Sequence, residues 1–107
     1  MSTAAPRLIA VARLEDVPAM QGRPVTVGGR RIALFNTPAG PRALEDACPH
    51  KGGPLSDGLL GDDCVVCPLH GRRVSLETGE VAGHPDERVA TLPVIERDGW
   101  LYVEVSP

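Results

Sequence analysis

The chain has 107 residues with 11 basic and 14 acidic side chains, so its formal net charge is −3, and this length fits a single domain over residues 1–107. The mild acidity disfavours nucleic-acid binding. The lack of a long apolar run disfavours a membrane span. The lack of a basic segment followed by such a run disfavours a secretory signal. The 12 glycines and 11 prolines make up over a fifth of the chain, which favours short strands joined by turns over long helices.

The first part of the chain predicts four strands joined by turns. A Gly28-Gly29 pair, which tolerates positive φ, predicts a hairpin between the second and third strands. Residues 15–18 are expected to form a turn or one short helical turn, and residues 1–6 a loose tail. The four strands are expected at residues 7–14, 23–27, 30–36 and 42–46.

The second part of the chain predicts four more strands, at residues 62–66, 72–76, 89–97 and 100–105. An Asp98-Gly99 pair between the last two is a strong hairpin signal. Between the strands we expect loops at residues 47–61 and 67–71, a turn at 77–80 and an irregular loop at 81–87. Short strands at this spacing predict an all-β fold, an antiparallel barrel or sandwich.

Two short loops contain most of the residues that can bind a metal. The first is CPHKGGPL at residues 48–55 and the second is CPLHG at residues 67–71. Together they read C-x-H, sixteen intervening residues, then C-x-x-H. Each loop supplies one thiolate and one imidazole on a Gly/Pro-rich turn. The four candidate ligands are Cys48, His50, Cys67 and His70.

Two cysteines and two histidines are the ligand set of either a zinc site or a [2Fe–2S] centre with mixed ligands. In a common zinc finger the cysteines form one pair and the histidines the other. One cysteine and one histidine in each loop instead suits a two-iron centre, which the pattern favours over zinc or over unconnected residues. The odd number of cysteines, three, does not suit paired disulfides and favours a reducing, cytoplasmic compartment.

The paired loops resemble those of the Rieske [2Fe–2S] family, and the resemblance runs from about residue 7 to residue 105. The segment after His70 also resembles the family's H-G-x-x-F-D-x-x-T-G stretch, with Val74 and Ser75 at the aromatic and acidic positions. The resemblance implies an antiparallel β-barrel-like domain with a small cluster-binding subdomain at about residues 47–76. It implies one Rieske-type cluster per chain, with Cys48 and Cys67 on the inner iron and the two loop histidines on the outer iron.

The same resemblance implies a low reduction potential. High-potential members carry an extra cysteine in each loop, at the positions of Gly53 and Leu69 here. They also place a hydroxyl and a tyrosine after the second histidine, where this chain has Arg72 and Val74. Fewer hydrogen-bond donors leave the reduced cluster less stabilised, so we expect a midpoint nearer ~−150 mV than +300 mV.

Within the family, the CPHKGGPLSDG run most resembles the small subunit of NAD(P)H-dependent nitrite reductase. This implies a large partner with flavin and sirohaem, and a chain that carries electrons without being catalytic alone. An alternative is the ferredoxin component of an aromatic-ring dioxygenase, which passes electrons from a flavin-containing reductase to an oxygenase. An alternative of another class is a structural or regulatory module that binds zinc or no metal.

The remaining singled-out residues have ordinary expectations. Cys64 could form a C-x-x-C pair with Cys67, but we expect a small apolar side chain in or near the core. His84 is expected to be a solvated loop histidine. The other positions are interpreted as loop charges (Lys51 and Arg72), as glycines that let amides approach the sulfurs (Gly52, Gly53 and Gly71), and as a cover over the cluster (Pro54 and Leu55).

Overall fold

The computed structural model of the protein describes residues 7–47, 53–61, 63–69 and 71–105. Within these ranges the regular structure consists of twelve strands and two three-residue 3-10 helices, and all strand pairings are antiparallel. The expected all-β fold is confirmed. The tail expected at residues 1–6 lies outside the described residues. In the described part, neither helix has the length and hydropathy to cross a bilayer.

The first sheet brings the two ends of the chain together. Strand β1 (Arg7–Arg13) pairs with β12 (Trp100–Val105), whose other side pairs with β11 (Val94–Arg97). The turn residues Asp98 and Gly99 have φ angles of 54° and 81°, as a two-residue hairpin with matching twist requires. The hairpin predicted from this pair is confirmed.

The second sheet is the central one and has the strand order β10-β4-β3-β2. Gly28 and Gly29 join β2 to β3 with φ angles of 56° and 81°, which confirms the second predicted hairpin. The strands are β2 (Gly22–Val27), β3 (Arg30–Thr37), β4 (Gly40–Glu45) and β10 (Thr91–Leu92).

The third sheet follows chain order from β5 to β9. Its strands are β5 (Leu59–Leu60), β6 (Cys64–Val66), β7 (Arg73–Ser75), β8 (Glu80–Val81) and β9 (His84–Arg88). The irregular loop expected at residues 81–87 is wrong, because β8 and β9 pair across it. Strand β9 is largely exposed, so it shows no apolar alternation, and main-chain pairing at a sheet edge defines it instead.

Two other expectations need correction. The single strand expected at residues 89–97 is divided into β10 and β11 at Pro93, which has no N–H to donate to a ladder. The chain passes there from the second sheet to the first. Strand β5 lies inside the expected loop 47–61, and the short helical turn is a 3-10 helix at Leu14–Asp16.

The central sheet is buried on both faces, and β3 shows this most directly. Ile32 and Leu34 point into one core and Ala33 and Phe35 into the other, as alternation along a strand requires. The first core lies against the first sheet and contains Ala12, Val17, Val27, Ala43, Leu92, Leu101 and Val103. The second core lies against the third sheet and contains Leu44, Leu55, Val65, Cys67, Val74, Leu76, Val81 and Val89.

Candidate metal centre

Of the four predicted ligands, Cys67 lies within the described residues, and Cys48, His50 and His70 lie outside them. Cys67 follows strand β6 directly and is 2% exposed. Side chains alternate along an extended chain, and Cys67 belongs with Val65 to the second core. The second loop therefore begins with a thiol that is held against the core.

Main-chain hydrogen bonds close the second loop on itself. The Cys67 N–H donates to the Arg72 carbonyl at 2.7 Å, and the Gly71 N–H donates to the Cys67 carbonyl at 3.1 Å. Gly71 has a φ of 70°, a conformation that glycine adopts at little cost. Pro68 and Leu69 at the tip are exposed, so this tight turn leads from a buried thiol to a solvent-facing tip.

The end of the first loop lies directly against the second loop. A Cβ atom on Gly53 would lie 2.8 Å from Leu69 Cδ1 and 3.2 Å from Cys67 Sγ. A side chain at position 53 would therefore displace the exposed Leu69 side chain and crowd the Cys67 sulfur. The fold therefore brings together the two loops that the sequence places sixteen residues apart.

An ion pair connects the second loop to strand β9. Arg72 Nε lies 3.0 Å from Glu87 Oε1, and Arg72 Nη2 lies 3.2 Å from Glu87 Oε2. The two side chains are only 17% and 24% exposed. Two parallel hydrogen bonds of this kind fix orientation as well as charge. Arg72, which the sequence suggests is a loop charge, is the residue that follows the loop. Its ion pair with Glu87 anchors that end of the loop to β9.

Cys64 is not placed to act with Cys67 as a C-x-x-C pair. It lies on strand β6 opposite Ser75, and positions three apart on a strand face opposite sides. Its half-buried side chain borders an open depression of about 490 Å³ together with Arg73 and Thr78. The Cys64 side chain therefore borders a surface depression, on the other side of β6 from the Cys67 thiol.

His84 is half-exposed, as expected, but it lies in strand β9 and not in a loop. Its Nδ1 is 3.8 Å from Glu87 Oε2, which is beyond hydrogen-bonding distance. Among the residues that the structure describes, no three His, Cys, Asp or Glu side chains cluster to hold a metal ion. His84 therefore lies on the same strand as Glu87 and near its carboxylate.

The described part of the two loops fits a metal–sulfur centre. It provides a buried thiol, a glycine close to the sulfur, where a Cβ would lie 3.2 Å from Sγ, and a main-chain turn that begins at the thiol. Thiolate is the ligand that iron–sulfur clusters require.

Comparison with known proteins identifies the family. The model of the Rieske [2Fe–2S] domain matches residues 7–94. The chain belongs to the Rieske [2Fe–2S] domain family. It is a Rieske electron-transfer protein of the ferredoxin type, and the cofactor of this domain is a [2Fe–2S] cluster.

Proteins similar to this Rieske protein include dioxygenase ferredoxin subunits and a nitrite reductase small subunit. It is 38% identical over 77 residues to a 3-phenylpropionate/cinnamic acid dioxygenase ferredoxin subunit of Photorhabdus laumondii, covering 70% of this chain and 73% of that subunit. A solved structure assigned as a nitrite reductase NADPH small subunit has a TM-score of 0.85 and 28% identity, covering 91% of this chain and 97% of the other.

A third similar chain is in the complex of reduced oxygenase and oxidised ferredoxin of carbazole 1,9a-dioxygenase. It has a TM-score of 0.79 and 30% identity, covering 89% of this chain and 99% of that one. The Rieske chain also matches oxygenase subunits, of which it spans between 20% and 24% of the length. The chain is therefore similar to members of both subfamilies that its sequence suggests, the nitrite reductase small subunits and the dioxygenase ferredoxins.

Sequence reasoning missed the polar side chains that hold the loops. Glu87 falls in the segment that the sequence predicts to be an irregular loop, and no local pattern marks Asp46 or Ser56, which flank the first loop. The one available signal was position, since both are polar residues at the ends of a ligand loop. Their partners are ten to fifteen residues away, which spacing alone does not reveal.

Proposed function

We propose that Cys48, His50, Cys67 and His70 hold one [2Fe–2S] cluster per chain, and that the chain carries single electrons between two larger proteins. The observation that supports this best is the 3.2 Å approach of a Gly53 Cβ position to Cys67 Sγ. It joins the end of the first loop to the buried thiol of the second. The two cysteines bind the inner iron and the two histidines bind the outer iron.

The gradient of burial along the second loop supports electron exchange at the tip of that loop. Cys67 is 2% exposed, whereas Leu69 is 55% exposed. When bound, the cluster takes up and releases one electron. The core side of the loop excludes water from the thiol, while the tip reaches the surface where a partner protein docks.

We also propose that residues 1–107 form a single domain with a cluster-binding subdomain at residues 47–76. The described part of that segment supports this, because Leu55 and Val65 share the second core with Phe35 of the central sheet. The subdomain is thus built onto the central sheet and depends on it for burial.

For the partner, our first candidate is a nitrite reductase. The chain would act as its small subunit, with a large subunit that carries flavin and sirohaem. The CPHKGGPLSDG run supports this, and so does the similarity to the nitrite reductase NADPH small subunit, which covers nearly the whole of both chains.

The second candidate is the ferredoxin component of an aromatic-ring dioxygenase, which receives electrons from a flavin-containing reductase. The 38% identity to the cinnamic acid dioxygenase ferredoxin subunit, over 70% of this chain, supports it. Both candidates use the same cluster, so they differ in the proteins that donate and accept the electron.

The test is to reduce the protein without oxygen and mix it with each acceptor in a stopped-flow instrument. We expect reoxidation to be at least about tenfold faster with a sirohaem nitrite reductase subunit than with a ring-hydroxylating oxygenase, a difference of ~1.4 kcal/mol in the barrier. The reverse preference would establish the second candidate. A chain that binds zinc, or that neither acceptor reoxidises, would contradict the electron-transfer proposal.

A further inference from the structure

A buried carboxylate joins the two ends of the first ligand loop. The Asp46 side chain is 0% exposed, and it lies just before the loop. Its Oδ1 accepts a hydrogen bond from the Ser56 N–H at 2.8 Å, and its Oδ2 accepts one from the Ser56 hydroxyl at 2.8 Å. Ser56 is 5% exposed and lies just after the loop, so the nine residues 47–55 are closed at their base.

The closed base is itself fixed to the central sheet. Arg31 Nε donates to Asp46 Oδ2 at 2.7 Å, and the Asp46 N–H donates to the Arg31 carbonyl at 3.0 Å. Asp46 is therefore attached to strand β3 through both its main chain and its side chain. Arg31 is 59% exposed, so water also solvates the guanidinium.

The other end of the loop is fixed to strand β2 by close packing. Ser56 lies in the second 3-10 helix, Leu55–Asp57. A Cβ on Gly22 would lie 2.5 Å from the Ser56 carbonyl oxygen and 2.7 Å from Phe35 Cε1, so only glycine lets this helix approach the sheet. Both ends of the loop thus rest on one rigid element.

We propose that Asp46 and Ser56 are positioning residues for the cluster, which hold the loop containing Cys48 and His50 in the geometry that binding requires. This rests on the proposed ligand assignment. Burial of a carboxylate is costly unless its oxygens keep their hydrogen bonds, and both Asp46 oxygens accept at least one. Here those bonds are made across the base of the ligand loop.

The test compares Asp46→Ala, which removes both acceptor oxygens, with Ser56→Ala, which removes only the hydroxyl. The matched control is Thr37→Ala. Thr37 is also buried, and its hydroxyl closes the turn between β3 and β4 through Gly40 and Ala39. Asp46→Asn is the conservative variant, because it keeps an oxygen that can accept the Ser56 N–H.

Two readouts are taken on the full chain as purified. One is the rate of cluster loss to an iron chelator, followed by the visible spectrum, together with the EPR g-values of the reduced form. We expect about tenfold faster loss for Asp46→Ala, as for other residues that orient metal ligands. Ser56→Ala and Asp46→Asn should show smaller increases and shifted g-values, while Thr37→Ala should stay at the wild-type rate.

The other readout is hydrogen exchange at the Ser56 amide, which does not depend on iron. We expect this amide to lose protection in Asp46→Ala and to keep it in Thr37→Ala. The proposal would be overturned if Asp46→Ala and Ser56→Ala lost the cluster at the wild-type rate. It would also be overturned if the Thr37→Ala control lost the cluster as fast as Asp46→Ala. If Asp46→Ala does not fold, Ser56→Ala decides. If the wild type holds no iron while Asp46→Ala still loses protection, loop closure stands and the proposed function alone fails.

Discussion

Arg72 and Glu87 form a two-point ion pair, with nitrogen–oxygen distances of 3.0 and 3.2 Å, between the end of the second ligand loop and strand β9. The pair is mostly buried, which reduces the screening that weakens surface ion pairs. Through this ion pair, edge strand β9 anchors the residue next to the second loop. The sequence of β9 does not suggest that role.

Replacing Glu87 by Gln should lower the free energy of unfolding by about 1–2 kcal/mol, because the substitution leaves Arg72 partly buried without its carboxylate. The measurement is chemical denaturation of the holoprotein. Glu45→Gln is the control, since the Arg30–Glu45 pair is about 45% exposed on both sides and should lose less than about 0.5 kcal/mol. Equal losses in the two variants would show that the buried pair has no special weight.

Replacing Gly53 by Ala should crowd Leu69 and the Cys67 sulfur, which lies 3.2 Å from the added Cβ, and reduce the iron content of the purified protein. The added methyl group would meet Leu69 Cδ1 at 2.8 Å and Leu69 Cγ at 2.9 Å. Adding Leu69→Ala to this variant removes both contacts and should restore much of the iron. Leu69→Ala alone is the control and should keep its cluster, because the side chain is 55% exposed. Full iron content in Gly53→Ala would show that the loops have room to move.

Replacing Cys64 by Ser should leave the cluster spectrum unchanged, because Cys64 lies on the face of β6 opposite to Cys67 and borders a surface depression. Replacing Cys67 by Ser should remove or strongly alter the spectrum, since the buried thiol is a proposed ligand. Visible absorption and iron content of the two variants provide the comparison. Iron loss in Cys64→Ser would restore the C-x-x-C interpretation.

The midpoint potential should lie near the low end of the Rieske range, nearer ~−150 mV than +300 mV. The structure adds a reason at two positions. The Val74 side chain is fully buried in the second core and offers no donor, and the Arg72 guanidinium donates two hydrogen bonds to Glu87. A redox titration followed by EPR measures the midpoint, and a clearly positive value would contradict this prediction.

Much of the fold could be predicted because its signals are local. The Gly28-Gly29 and Asp98-Gly99 hairpins follow from residues that accept positive φ. Strand β9 could not be predicted, because an exposed edge strand has no apolar period and is defined by the strand it pairs with. Pro93 is a local signal that the strand expected at residues 89–97 is divided. The alternation of apolar and polar residues on both sides of Pro93 obscures that break.

The candidate site shows the same division. The spacing of cysteines and histidines within each loop is local and predicts the ligand set directly. The contacts that hold the loops in place are not local: Gly53 against Leu69, Asp46 with Ser56, and Arg72 with Glu87. They arise when the sheets pack, so no pattern of spacing along the chain reveals them.

The central claim is that the two loops hold a [2Fe–2S] cluster, and its most direct test is the metal content of the protein purified without oxygen. Iron, acid-labile sulfide and zinc are measured on one sample, with visible and EPR spectra before and after dithionite. Our account predicts about two irons and two sulfides per chain, as in a Rieske centre, with a colour that bleaches on reduction. Zinc alone in iron-replete protein, with no bleaching, would contradict it.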